Sequence, residues 1–214
     1  MIDSILKVKS IKYFLLLVGF TFLISMGISY SSLPESIYYQ SLGERLNTDQ
    51  ITSMIESLKK WQWLGYLFIP LVILIRVGFS STCLYTGMFI ANIKVRFQDL
   101  FKVALIADFV FVLAGVVKLI ILIFIKEVNT LDDLQFQPLS LMELFNRESV
   151  DQLFFYPLSL ISIFEALYWL VLAWLLMDVV EKPFGSTLKT VASSYGTGLL
   201  LWVLFVMFLT VNLS

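Results

Sequence analysis

The chain has 214 residues, 59% of them hydrophobic and 14% charged, with a mean hydropathy of +0.89. A soluble domain of this length does not carry so much apolar surface, so the composition specifies an integral membrane protein. The net charge of -1, with no Lys/Arg cluster of the kind that tracks phosphates, argues against a nucleic-acid partner.

Crossing about 30 Å of hydrocarbon takes about 20 apolar residues, and runs of that length fall at about 11–30, 62–90, 103–125, 158–178 and 188–211. The expected fold is therefore all-α, with five transmembrane helices in a single domain over 1–214. The first run follows Lys7, Lys9 and Lys12. It is long for a signal peptide and lacks a clear small-x-small cleavage site, so a retained helix is expected.

After it, "NTDQITSMIESLKKWQWLG" offers Asn47 or Thr48 as a helix cap, then Ile51, Met54, Ile55 and Leu58 at helical spacing. That spacing predicts a short amphipathic helix leading into Trp61 and Trp63, which suit the membrane interface. The second run, at nearly thirty residues, would be about 45 Å long and must tilt, bend or protrude. Pro70, about two turns inside it, is expected to kink the helix or mark where the true span begins. Between the third and fourth runs, "PLSLMELF" places Ser140 three residues before Glu143, the spacing of a capping box. A second surface helix is expected there, and Pro157 is expected in the first turn of the fourth span.

Lys and Arg set the orientation. With the N-terminus inside, Lys7, Lys9, Lys12, Lys94, Arg96, Lys102, Lys182 and Lys189 face the cytoplasm. Arg45, Lys59, Lys60, Lys126 and Arg147 lie opposite, with most of the acids, including Glu44, Glu127, Asp132, Asp133 and Glu148. This bias predicts N-terminus in and C-terminus out, with the two short helices in the outer loops, in a bacterial-type cytoplasmic (inner) membrane.

Four ionisable side chains lie within the runs: Arg76, Asp108, Lys118 and Glu165. Each costs about 2.5 to 3.5 kcal/mol alone at depth, so each needs a partner or water. At 1.5 Å per residue, Asp108 falls about 7 Å and Arg76 about 12 Å from the inner edge, while Lys118 and Glu165 fall at about 22 and 20 Å. Opposite charges match in depth, which predicts the interhelical pairs Arg76–Asp108 and Lys118–Glu165. Asp108 and Lys118 stand about 80 degrees apart around one helix and about 15 Å along it, so they face different neighbours and the third span becomes central. Such pairs either lock helix register or line a polar pathway.

Small residues at helix-contact spacing, Gly78, Thr82 and Thr86 in the second span and Ala192 and Gly196 in the fifth, predict packing seams. Cys83, the one cysteine, is expected to be a small buried apolar group. With no histidine, imidazole-dependent catalysis and His-ligated metal are absent, and an aspartyl protease would need a second membrane aspartate beside Asp108. No Gly-rich phosphate loop is present. The expectation is a non-enzyme with no cofactor.

Two longer stretches carry a resemblance. The segment "VGFSSTCLYTGMFIANIKVRFQDLFKVALIADFVFVLAGVVKLIIL" contains a small-residue helix, a short turn, "F-x-x-L-F-K" and a long apolar helix. Farther on come "PLSLMELF", "YPLSLISIFEALYWLVLAWLL" and "FGSTLKTVASSY". Over about residues 65–210 the chain resembles the Yip (Rab-interacting-protein-like) membrane superfamily, although "ALIADF" stands where that family usually has a proline. The resemblance implies a compact five-helix membrane protein without a known catalytic site. The function expected is a scaffold or accessory subunit that binds the bilayer and other membrane protein subunits. The alternative is a small transporter or channel component whose charges line a route for an ion or solute.

Overall fold

The computed structural model describes residues 9–32, 35–43, 46–125, 136–146 and 149–213. Lys7, Glu44, Arg45, Lys126, Glu127, Asp132, Asp133, Arg147 and Glu148, used above for orientation, lie outside them. The described residues form helices α1 (Ser10–Ser32), α2 (Glu35–Leu42), α3 (Thr48–Ile90), α4 (Phe97–Ala107) and α5 (Phe109–Phe124). A 3-10 turn at Leu141–Leu144 follows, then α6 (Gln152–Leu160), α7 (Ile163–Val180), α8 (Phe184–Val191), a π turn at Ala192–Gly196, and α9 (Thr197–Leu213). Five helical stretches are long and apolar enough to cross a membrane: Ser10–Ser29, Thr48–Ile90, Phe97–Phe124, Ile163–Val180 and Phe184–Asn212. The chain is thus an all-helical, multi-pass membrane protein.

The second span differs most from expectation. The amphipathic stretch and the apolar run are one helix of 43 residues, about 65 Å long, with Pro70 inside it. Pro70 removes one hydrogen-bond donor from the ladder, and the helix continues through it. Asn47 is the cap, its backbone N–H donating to Gln50 Oε1 at 3.0 Å. The extra length is covered by α2: Ile51 and Ile55 are buried with Ile37, and the Tyr39 hydroxyl lies 2.9 Å from Thr52 Oγ1.

The fourth span begins later than expected. Pro157 belongs to a separate short helix, α6, and Ser162 caps α7 by accepting from the Glu165 N–H at 3.1 Å. The irregular backbone between α6 and α7 is not left bare. Leu141 N–H donates to Ile161 O at 2.9 Å, and Ile163 N–H donates to Leu139 O at 3.1 Å, an antiparallel bridge between Ser140 and Ser162. The two segments thereby satisfy backbone donors and acceptors that no helix supplies with partners here. Ser140 therefore heads a 3-10 turn rather than the expected surface helix.

The core lies between α3, α4, α7 and α8. Val77, Leu84, Leu100, Val103, Leu172, Leu176 and Val191 are fully buried there, and Ala104, Ala107 and Ala173 let the backbones close. α4 packs on α1, α3 and α7, which makes the first half of the third span central; α5 packs chiefly on α1. At that seam a Cβ on Gly27 or Gly115 would stand 3.2 Å from the facing Leu119 or Ile24 methyl carbon.

A second close seam joins α3 to the π turn, where Gly87 faces Ser194 and Gly198 faces Cys83. A side chain at Gly87 would overlap Ser194, whereas Gly78 on the same helix has open space around it. Gly87→Val should therefore cost about 1–3 kcal/mol as an overpacking change, and Gly78→Val about 0.5 kcal/mol or less. Thermal unfolding of the two variants in detergent checks this; equal melting temperatures would place the seam elsewhere.

Candidate functional site

Two of the described buried polar residues, Asp108 and Ser80, belong to one cluster that also takes in the part-buried Arg76 and Glu165. Asp108 is the single residue between α4 and α5, with its N–H donating to Ala104 O and its carbonyl accepting from Phe111 N–H, each at 3.0 Å. The third span starts at Phe97 rather than Val103, which sets Asp108 about 17 Å along it, in the interior of the 28-residue stretch. The carboxylate is wholly buried and takes a bidentate pair from Arg76: Nε to Oδ1 and Nη2 to Oδ2, both 2.6 Å. This fork-on-carboxylate geometry is the strongest of the protein ion-pair arrangements. The guanidinium also lies 4.4 Å from the Phe111 ring centroid, and 36% of the Arg76 side chain remains exposed.

Hydroxyls extend the cluster. Ser80, one turn beyond Arg76, donates to the Arg76 carbonyl at 3.1 Å and accepts from the buried Tyr168 hydroxyl at 2.9 Å. The Tyr168 ring sits 4.9 Å from Phe111 and 5.4 Å from Tyr195, centroid to centroid.

Glu165 forms the other end. Its Oε1 accepts from Trp169 Nε1, one turn along α7, and from the Tyr195 hydroxyl of the π turn, both at 2.9 Å. Aromatic donors thus hold Glu165, and the expected Lys118–Glu165 pair is replaced. Lys118 Nζ lies 5.3 Å from the Phe136 ring centroid instead. Two features of the fold cause the difference. The step at Asp108 interrupts the 100-degree phase by which Lys118 was aimed, and α7 starts at Ile163, which puts Glu165 in its first turn.

Arg76, Asp108 and Glu165 are therefore brought to one aromatic-lined cluster, and Lys118 stands outside it. Tyr168, Tyr195, Trp169, Phe111 and Ser80 complete the cluster and were not singled out by sequence. The Glu165–Trp169 spacing of four residues was readable as a same-face pair. Tyr195 was not, because the π turn rotates Ser194 and Tyr195 inward by adding a residue to the helical turn.

The small residues divide similarly. Gly196 lies against Trp169, whose Cη2 would be 2.6 Å from a Cβ there. Ala192, Thr82 and Thr86 are exposed and a Cβ at the part-buried Gly78 would meet nothing within 4 Å, so among the described residues these four form no close seam. α3 instead turns its Ser80, Leu84 and Gly87 face inward. Thr82 and Thr86 donate to the Gly78 and Thr82 carbonyls at 2.8 and 2.9 Å, which satisfies their hydroxyls in an apolar setting. Cys83 is a half-buried free thiol packed on Gly198.

Among the described residues no group of His, Cys, Asp and Glu has a metal-binding arrangement. Compared with protein-family models, with curated proteins and with solved structures, the chain matches none.

The cluster makes a definite energetic statement. Asp108→Asn leaves the Arg76 charge without its counter-ion and should cost about 3–5 kcal/mol of stability in detergent. The double variant Arg76→Met/Asp108→Leu, which removes both charges, should recover most of that loss. Melting temperatures of the single and double variants, measured together, test whether the pair acts as a unit.

Proposed function

We propose that this protein is a non-enzymatic scaffold or accessory subunit of a membrane assembly, with its intramembrane charges serving helix register. The observation that carries this reading is the closure of the cluster: both Asp108 oxygens are taken by Arg76, and Glu165 is held by Trp169 and Tyr195. A carboxylate satisfied on both oxygens and fully buried is suited to holding helices in one arrangement.

A place for a partner helix supports the same reading. Thr82 and Thr86 are exposed on α3 with Gly78 at the same four-residue spacing, and among the described residues no atom would lie within 4 Å of a Cβ at Gly78. Small residues so spaced let a second helix approach closely in lipid, where the hydrophobic effect supplies no attraction between helices. The proposal includes the orientation with N-terminus in and C-terminus out, the outer placement of α2 and the 3-10 turn, and the inner membrane as its site. It also includes the Yip-like grouping, which rests on the motifs quoted above.

Gly78→Leu/Thr82→Leu should abolish stoichiometric co-purification of a membrane partner and leave the melting temperature of the purified chain within about 2 °C of the parent. Unchanged co-purification would remove α3 as the docking face.

A transporter or channel component is the second reading, favoured by one observation: Arg76 keeps 36% of its side chain exposed beside a helix step and a π turn, both common at functional sites. Cysteines introduced beside Arg76 and Glu165 in a Cys83→Ser background distinguish the two. Reaction with membrane-impermeant thiol reagents identifies a water-filled route, and protection from them fits the closed cluster.

A further inference from the structure

At the end of the bundle where α3 turns into α4, a pocket of about 440 Å³ opens, within the size range of small-ligand sites. We propose that it binds the phosphate-diester headgroup of one anionic phospholipid, with the glycerol and upper acyl chains lying along its apolar wall.

The walls have two kinds of chemistry in the order a bilayer presents them. Met88, Phe89 and Ile93 form the apolar side, and Phe89, with its neighbour Ile90, is 75% and 79% exposed, as suits contact with acyl chains. Asn92, Lys94 and Arg96 follow within a few residues and form the polar side. The pocket is preformed by a tight helix ending. Asn92 adopts the left-handed conformation, φ 58, with its N–H donating to Phe89 O at 3.1 Å and the Ile93 N–H to Met88 O at 2.9 Å. That pattern reverses the chain directly after α3 and sends residues 93–96 back along the pocket edge.

The cations are placed differently. Arg96 is fixed by Asp99, with Nε to Oδ2 at 2.9 Å and Nη2 to Oδ1 at 3.1 Å, which leaves further guanidinium N–H groups to donate. Lys94 is exposed and makes no ion pair among the described residues. Two cations against one carboxylate give the pocket a net positive rim at headgroup level, where each basic residue strengthens binding to anionic lipid about fivefold.

The test uses the purified full chain in phosphatidylcholine nanodiscs with and without phosphatidylglycerol, read as lipid retained per protein by native mass spectrometry over a phosphatidylglycerol titration. One phosphatidylglycerol should be held in preference to phosphatidylcholine. Lys94→Gln should weaken that binding about fivefold, Lys94→Gln/Arg96→Gln about 25-fold, and Lys94→Arg should preserve it. Lys94 is exposed and makes no ion pair among the described residues, so the first variant is informative even if changing Arg96 disturbs the turn. Equal retention of the two lipids, or equal affinity of Lys94→Gln and the parent, overturns the proposal. Displacement of the lipid by millimolar inorganic phosphate would overturn the lipid assignment in favour of a free anion.

Discussion

The arrangement depends on the cost of leaving Asp108 in hydrocarbon without a counter-charge. A lone carboxylate inside a span is among the least tolerable groups in a membrane protein, and here it occupies the one residue that separates α4 from α5. The Arg76 guanidinium takes both of its oxygens, a two-point contact that constrains the height and rotation of α3. That pair sets α3 against the middle of the third span. The small residues Ala104 and Ala107 are buried on the adjoining turn, where their size suits close helix packing.

From this anchor α7 and the π turn are tied in by hydrogen bonds, since hydrophobicity in lipid does not distinguish one apolar face from another. Ser80 and Tyr168 tie α7 to α3. Tyr195 and Glu165 tie the π turn to α7. The π turn in turn brings Ser194 against Gly87. A row of rings, Phe111, Tyr168, Tyr195 and Trp169, fills the space among these polar contacts. The π turn and the Asp108 step, two departures from regular helix, are thus the means by which polar side chains converge.

The number and order of spans were legible because a helix in lipid must be long, apolar and internally hydrogen-bonded, and the sequence shows that directly. Arg76 and Asp108 were also legible as partners. Their spans are consecutive and antiparallel, joined by a short turn, so two opposite charges at similar counted depths are brought to the same level. The same counting misplaced Glu165. Its depth hung on where the fourth span begins, and the apolar stretch at 158–162 belongs partly to α6 and partly to the bridge with Leu139–Leu141.

Taken alone, the sequence determined the class of protein, the five spans, the identity of the membrane carboxylates and the need for each to be satisfied. These follow from composition and from one-dimensional counting along a helix. Only the tertiary structure decided that Trp169 and Tyr195, rather than Lys118, satisfy Glu165, that Thr82 and Thr86 are exposed on α3, and that the stretch before the second run extends α3 instead of forming a helix of its own. The physical reason is azimuth. Which neighbour a side chain meets depends on the cumulative rotation of its helix, and a one-residue step at Asp108 or an extra residue in the π turn changes that rotation without altering hydropathy.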